Sequence, residues 1–176
     1  SAKKVNASPW GILVMISLVT AVTSAFLDNV TTVLLVVPVT LLITEELKVN
    51  PYPYLFSMIF SSNIGGTATL IGDPPNIMIG SATGLTFNDF GYHLTPAIIV
   101  VQIATLIPIY LIWGRKLKAT AEDRQRVMAF NEFEAITDWR LLKQCLSVIG
   151  LVVFGFIFAK WLRLEAATIA IFGAAA

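Results

Sequence analysis

Residues 62–79, S-N-I-G-G-T-A-T-L-I-G-D-P-P-N-I-M-I, place helix-breaking and charged residues where a membrane span should run. Gly65, Gly66, Gly72, Pro74 and Pro75 are poor occupants of a helix interior, where glycine costs about 1 kcal/mol and proline about 3 kcal/mol relative to alanine. Yet the flanking runs, 54–60 and 77–79, are apolar enough to belong to a span. The pattern predicts a transmembrane helix broken in its middle. Irregular backbone at that depth is tolerated only where protein or a water-filled cavity satisfies the freed amide and carbonyl groups, and transporters place such breaks at their ion and substrate sites.

The rest of the chain supports a membrane setting. Of its 176 residues 56% are hydrophobic and 13% charged, and the mean hydropathy is +0.78, far from the average of a soluble domain. At about 20 apolar residues per crossing there is room for roughly five or six membrane segments. A net charge of +1, with basic residues confined to loops, gives no footing for nucleic acid. The single cysteine, Cys145, excludes an internal disulfide and any zinc-ligand spacing. The chain starts without methionine and stops inside an apolar run, so it is expected to be part of a longer protein.

Segments 10–27 and 30–44 are separated only by Asp28 and Asn29. A helix over 30–44 would extend about 22 Å, short of the roughly 30 Å hydrocarbon core, which favours a re-entrant hairpin (about 10–44) with its tip at Asp28 and a bend at Pro38. The rival is a pair of ordinary spans joined by a tight turn outside, for which Asp28 and Asn29 are good residues. A broken helix is expected over about 54–83, a span over about 93–113 with a kink at Pro108, a linker over 114–140, and the next apolar segments over 141–176. The linker carries Arg115, Lys116, Lys118, Arg124, Arg126 and Arg140, whereas 84–92 has no lysine or arginine. The positive-inside rule then puts the linker in the cytoplasm, 84–92 outside, and Lys3, Lys4 and Lys48 inside. Because Glu122, Asp123, Glu132, Glu134 and Asp138 alternate with those basic residues, the linker reads as solvated.

Of the eleven acidic residues only Asp28 and Asp73 lie within apolar segments. An ionised carboxylate in hydrocarbon needs a cation, a proton or a hydrogen-bonding partner, so both are candidate site residues. As structural roles, Asp28 would cap the returning helix and Asp73 a half-helix starting near Asn76; a capping carboxylate can also hold an ion. Asn29, Thr31 and Thr32 add neutral oxygens at the hairpin tip, and Asn63, Thr67, Thr69 and Asn76 do so at the broken helix. Unwound carbonyls at Gly65, Gly66 and Gly72 would complete a shell for a hard monovalent cation, while amides at half-helix starts would face an anion. His93 and the four tryptophans read as segment-end residues. No nucleophile, base and orienting residue form a catalytic pattern, so no enzyme is expected.

The stretches F-L-D-N-V-T-T-V-L-L-V-V-P-V-T (26–40) and N-I-G-G-T-A-T-L-I-G-D-P-P-N-I-M-I (63–79) resemble, in this order, the hairpin and broken-helix motifs of the ion transporter superfamily with its citrate-transporter-like domain. The closest likeness is to the branch that holds arsenite permeases, NhaD-type sodium/proton antiporters and the melanosomal P protein. The resemblance implies an all-α integral membrane fold of two inverted repeats. Each contributes a re-entrant helical hairpin and a discontinuous transmembrane helix to a central site, usually within a homodimer. This chain would hold one repeat and the start of the next. Carboxylate carriers read Ser-Asn-Thr at the hairpin tip; here Asp28-Asn29-Val30-Thr31 adds a charge, and Asp73 stands where a neutral residue often precedes Pro-Pro-Asn. The expectation is a secondary transporter of a small inorganic ion in a bacterial inner membrane, working by sodium- or proton-coupled exchange without a cofactor. Sodium would bind at Asp28, Asn29, Thr31, Gly65 and Gly66. Arsenite or another anion is the alternative cargo, and a channel-like conductance the alternative class.

Overall fold

In a computed structural model, which describes residues 6–129, 138–162, 164 and 166–175, every regular element is helical. Lys3, Lys4, Glu132 and Glu134 lie outside the described residues. The helices are α1 (Pro9–Ser24), α2 (Asn29–Glu46), α3 (Tyr52–Gly66), α4 (Pro74–Thr83), α5 (Phe87–His93), α6 (Thr95–Ile109), α7 (Ala121–Ala129), α8 (Trp139–Leu162) and α9 (Ala166–Ala175). They fall into two units, one of 1–85 with 89–130 and one of 86–88 with 131–176.

The ends of these helices follow from local sequence. Ser8 accepts from the Gly11 amide at 3.1 Å and Pro9 occupies the first turn, where its missing N–H costs nothing. Asp28 caps α2 in the same way. Pro74 and Pro75 open α4, and Gly84 closes it with φ of 73° in the left-handed region. Pro108 lies inside α6, and the following turn, Tyr110–Gly114, widens into a π-helix, the disturbance expected where a proline removes an amide from the ladder.

Among the described residues three helices are long and apolar enough to cross a membrane: Asn29–Glu46, Thr95–Gly114 and Trp139–Ala159. The first of these corrects an expectation. Asn29, Glu45 and Glu46 join the helix that the sequence suggested over 30–44, so α2 extends about 27 Å at 1.5 Å per residue and shortness no longer argues for re-entry. Within 84–92 helix α5 forms, and the Leu94 amide bonds to the Phe90 carbonyl at 2.8 Å and Ile98 to Leu94 at 2.9 Å, so the helical path reaches α6 almost unbroken. His93 lies within that path.

In the first unit α1 packs chiefly on α3, and the two run parallel: the Tyr54 hydroxyl donates to the Pro9 carbonyl at 2.8 Å, the Ser17 and Ser57 hydroxyls touch, and Ser24 reaches Ser62. Small residues permit the approach. Ser17, Ala21 and Ala25 recur every four residues on α1 and its extension, Ser57, Ser61 and Gly65 on α3; a Cβ on Gly65 would collide with the Ala21 backbone. This is the small-xxx-small packing of membrane helices, where close backbones replace the hydrophobic driving force that lipid removes. α2 and α6 run against α3 in the opposite direction, with Thr40 beside Met58 (3.9 Å), Gln102 donating to Ser61 (2.8 Å) and Phe56 against Trp113 (5.9 Å between ring centres).

Ala7, Ile12, Leu13, Ile16, Leu47, Tyr54, Ile109 and Val127 form a buried apolar cluster. It draws the α2–α3 turn and α7 of the linker to one end of the unit, where Lys48 Nζ is 3.7 Å from Asp123 Oδ1. The linker is therefore packed in part and not solvated throughout. In the second unit α8 and α9 fit small to large, Gly155 against Ile169 and Gly173 against Val152. Phe87 stacks on Phe156, and Asn88 Nδ2 donates to the Ile157 carbonyl at 2.8 Å.

Candidate functional site

Two interruptions of helix meet in one place. The hairpin turn, 25–28, separates α1 from α2, and a seven-residue link, 67–73, separates α3 from α4. Asn29 Nδ2 donates to Asn63 Oδ1 at 3.1 Å, the Thr69 hydroxyl donates to the Ala25 carbonyl, and Ser24 Oγ donates to the Ser62 carbonyl at 2.7 Å. The Thr95 hydroxyl, at the start of α6, donates to the Ala68 carbonyl at 3.1 Å and closes the far side of the link.

Asn76 holds the link in shape. Its side chain is buried, and Nδ2 lies 3.3, 3.2 and 2.8 Å from the carbonyl oxygens of Gly66, Thr67 and Thr69. Those carbonyls have lost the helix amides that would have bonded them, so one amide group replaces a missing turn of backbone. Asn76 and Thr69 thus turn their donors onto protein carbonyls, which leaves Asn76 Oδ1 and the lone pairs of Thr69 Oγ1 as their remaining acceptor sites. Of the three glycines Gly65 differs from expectation: α3 stays helical through Gly66, and the Gly65 carbonyl accepts from the Ala68 amide at 3.0 Å. Their lack of a side chain serves close packing. A Cβ on Gly72 would stand 2.7 Å from the Ser24 carbonyl oxygen.

At the tip, Asp28 Oδ1 accepts from the Thr31 amide at 2.9 Å and Oδ2 from the Thr31 hydroxyl, while Asn29 Oδ1 accepts from the Val30 amide at 2.9 Å. The Thr32 amide bonds to the Asp28 carbonyl at 3.0 Å. The first amides of α2 are therefore taken by the chain's own oxygens. At α4 the prolines have no amide to offer and the Asn76 amide bonds to the Asp73 carbonyl at 3.0 Å, which is why the Asp73 carboxylate makes no capping bond. Neither helix start presents a row of free amides to an anion. Asp28 and Asn63 are exposed, Asn29 is half-buried, and a groove of about 230 Å³ beside them is lined by Val30, Val33, Leu34, Ile59 and Ser62 as well as the two asparagines. Each Asp28 oxygen keeps lone pairs for a further donor or cation. Thr67 bonds back to the Asn63 carbonyl at 2.9 Å, and Thr32 faces the interior, fully buried with its hydroxyl unpartnered among the described residues.

Sequence reading passed over two buried polar groups. One is the hydroxyl-lined seam of Ser17, Thr20, Ser24, Ser57 and Ser61 with Gln102, signalled only by the four-residue spacing of small residues. The other is Asp123, with a side chain 6% exposed and an Arg126 Nη2 at 2.6 Å. Thr120 and Asp123 form a capping box at the start of α7, the Thr120 hydroxyl donating to Asp123 Oδ2 at 2.6 Å and accepting from its amide at 3.1 Å. The Thr120 hydroxyl holds the Asp123 carboxyl below the ordinary carboxylate value, with Lys48 and Arg126 acting in the same direction against the effect of burial.

Among the described residues no three His, Cys, Asp or Glu side chains cluster as metal ligands. The sequence profile of the citrate transporter family matches residues 1–175. Two proteins of Mycobacterium tuberculosis described as uncharacterized transporters are 45% and 48% identical to the chain, each over 99% of it and 40% of their own length. The human P protein is 40% identical over 78% of the chain and 17% of its own length. The chain thus spans about 40% of the mycobacterial relatives it matches. No solved structure matches it. A transporter family sets enzymatic activity aside. With a helical, span-bearing fold and a profile that covers it almost end to end, the chain belongs to the citrate transporter family, a membrane transport family of the ion transporter superfamily.

Proposed function

We propose that this chain forms the first half of a secondary transporter that exchanges sodium and protons, with Asp28 as the group that binds one or the other. The observation that carries the reading is the charge inventory at the tip and link. Between residues 24–31 and 61–76 the charged side chains are Asp28 and Asp73, with no lysine or arginine, and the helix-start amides are already bonded. Citrate, named in the family's description, or an arsenic oxyanion would need positive charge or free amides here; a cation needs oxygens, which Asp28, Asn29, Thr31 and Asn63 supply. Carboxylate binding of a proton or a sodium ion is mutually exclusive, which is the requirement for exchange.

The same reading includes a re-entrant hairpin. If α3 and α4 make one crossing, their 15 and 10 residues extend about 22 and 15 Å on either side of the link, which puts the link and the hairpin tip bonded to it inside the roughly 30 Å core. The remaining part of the full-length protein would supply the matching repeat, in a homodimer of a bacterial inner membrane, with the linker on the cytoplasmic face.

The test is flux through the full-length protein in proteoliposomes with a pH-sensitive dye inside. Saturable proton movement driven by an imposed sodium gradient supports the exchanger. Sodium-independent citrate or arsenite uptake would replace it with an anion carrier, and flux that never saturates would replace it with a channel.

A further inference from the structure

The seam between α1, α3 and α6 holds polar atoms that neither the fold nor the tip requires. Ser17, Thr20 and Ser24 lie three and four residues apart on one face of α1 and are fully buried. Ser17 meets Ser57 and Ser24 meets the Ser62 carbonyl, so Thr20, between them on the same stripe, faces α3 between Ser57 and Ser62. Ser61 shares the α3 stripe of Ser57 and Gly65, both of which face α1. Gln102 enters from α6: 5% exposed, in the middle of a predominantly apolar span, it donates Nε2 to Ser61 Oγ at 2.8 Å. Thr20, Ser61 and Gln102 therefore converge. Thr20 Oγ1 and Gln102 Oε1 are both buried without a hydrogen-bond partner among the described residues. Exchanging the oxygen and nitrogen of the Gln102 amide would only move the unpartnered atom from one end of the amide to the other.

Buried polar atoms are almost always hydrogen-bonded, and the exceptions call for a ligand or a water. The donors and acceptors here identify which. Every group is neutral, so a cation would lie in the seam with no countercharge, a costly arrangement. A water can donate to Gln102 Oε1, exchange a hydrogen bond with Thr20, and accept from Ser61, which meets the two to four partners a buried water needs. We propose that Thr20, Ser61 and Gln102 hold an ordered water in the α1–α3–α6 seam beneath the hairpin tip. The site does not depend on which ion the protein carries.

The experiment uses the full-length protein, native and as Thr20→Val, Gln102→Leu and the double variant, with melting followed in detergent. Valine has the shape of threonine, so Thr20→Val keeps the packing. A bridging water predicts that each single variant melts lower and that the double melts no lower than the worse single, because the second substitution has nothing left to break. A dry seam predicts the opposite sign, since Thr20→Val then removes an unpaired hydroxyl and raises the melting temperature. That rise, or additive losses, overturns the proposal. So does a sodium-dependent rise in melting temperature that is present in the native protein and absent from Gln102→Leu, since it would put a cation in the seam. A density map sharp enough for ordered waters should show one within hydrogen-bonding distance of Thr20 and Gln102; a direct bond between the two side chains overturns it.

Discussion

Gly66 and Gly72 meet backbone to backbone across the link: a Cβ on Gly66 would stand 2.8 Å from the Gly72 carbonyl oxygen, and one on Gly72 2.5 Å from that of Gly66. The obstructing atoms are main chain and cannot rotate away. Gly72→Ala is therefore expected to destabilise the full-length protein by about 1–3 kcal/mol, the usual cost of overpacking, and to separate link from tip. Gly91→Ala, where an added Cβ meets nothing within 4 Å, is the control. Equal melting temperatures for the two variants would mean that the link is looser than this contact requires.

Much of that arrangement could be read from residue type. The break was legible because Pro74 and Pro75, having no amide hydrogen, can open a helix but not continue one, and Asp28 signalled a helix start through its short carboxylate side chain. The limits of the break were not legible. Gly65 and Gly66 are tolerated inside α3 because Ala21 and Gly72 press on them, and that is a tertiary fact. Nor was it legible that the Asn76 amide nitrogen would serve three carbonyls, because which atoms a turn leaves unbonded is decided only when the chain has folded. Asp123, one charge among many in a mixed run, gave no sign that Lys48 would come from another turn to pair with it.

The pH dependence of that pair has a defined sign. The folded Asp123 carboxyl is held below its ordinary value of about 3.9, chiefly by the Thr120 hydroxyl, so its contribution is complete above the unfolded value and is lost as pH falls through the folded one. Hydrogen exchange should find the α7 amides protected from neutral pH down to about 4 and released below it. In Asp123→Asn, protection should be lower at neutral pH and should lack this acid limb. An unchanged acid limb in the variant would assign it to a carboxylate other than Asp123.

Hairpin depth can be read by labelling. On a Cys145→Ser background, which removes the chain's exposed thiol, single cysteines at positions 28 and 88 are treated with an impermeant reagent from outside. A re-entrant tip predicts slow reaction at 28 and fast reaction at 88. Equal, fast reaction at both would make α1 and α2 two plain spans with an external turn, the alternative that the 18-residue length of α2 keeps physically open.

Asp28 separates capping from chemistry through a single substitution. Its carboxylate accepts from both the amide and the hydroxyl of Thr31, and asparagine, nearly its equal as a helix cap, keeps the oxygen that serves the amide. Asp28→Asn is therefore expected to insert and melt within about 1 kcal/mol of the native protein. Exchange is a different matter, because a group that trades a proton for sodium works by changing charge, and an amide does not titrate. In proteoliposomes of the full-length protein the variant should lose sodium-driven proton movement by at least two orders of magnitude, about 2.7 kcal/mol or more of functional free energy. Asp73→Asn should be milder, since Pro74 and Pro75 fix the start of α4 and the Asp73 carboxylate caps nothing there. Near-normal exchange in Asp28→Asn would limit Asp28 to its cap and leave Asp73 as the only carboxylate at this junction able to carry the proton.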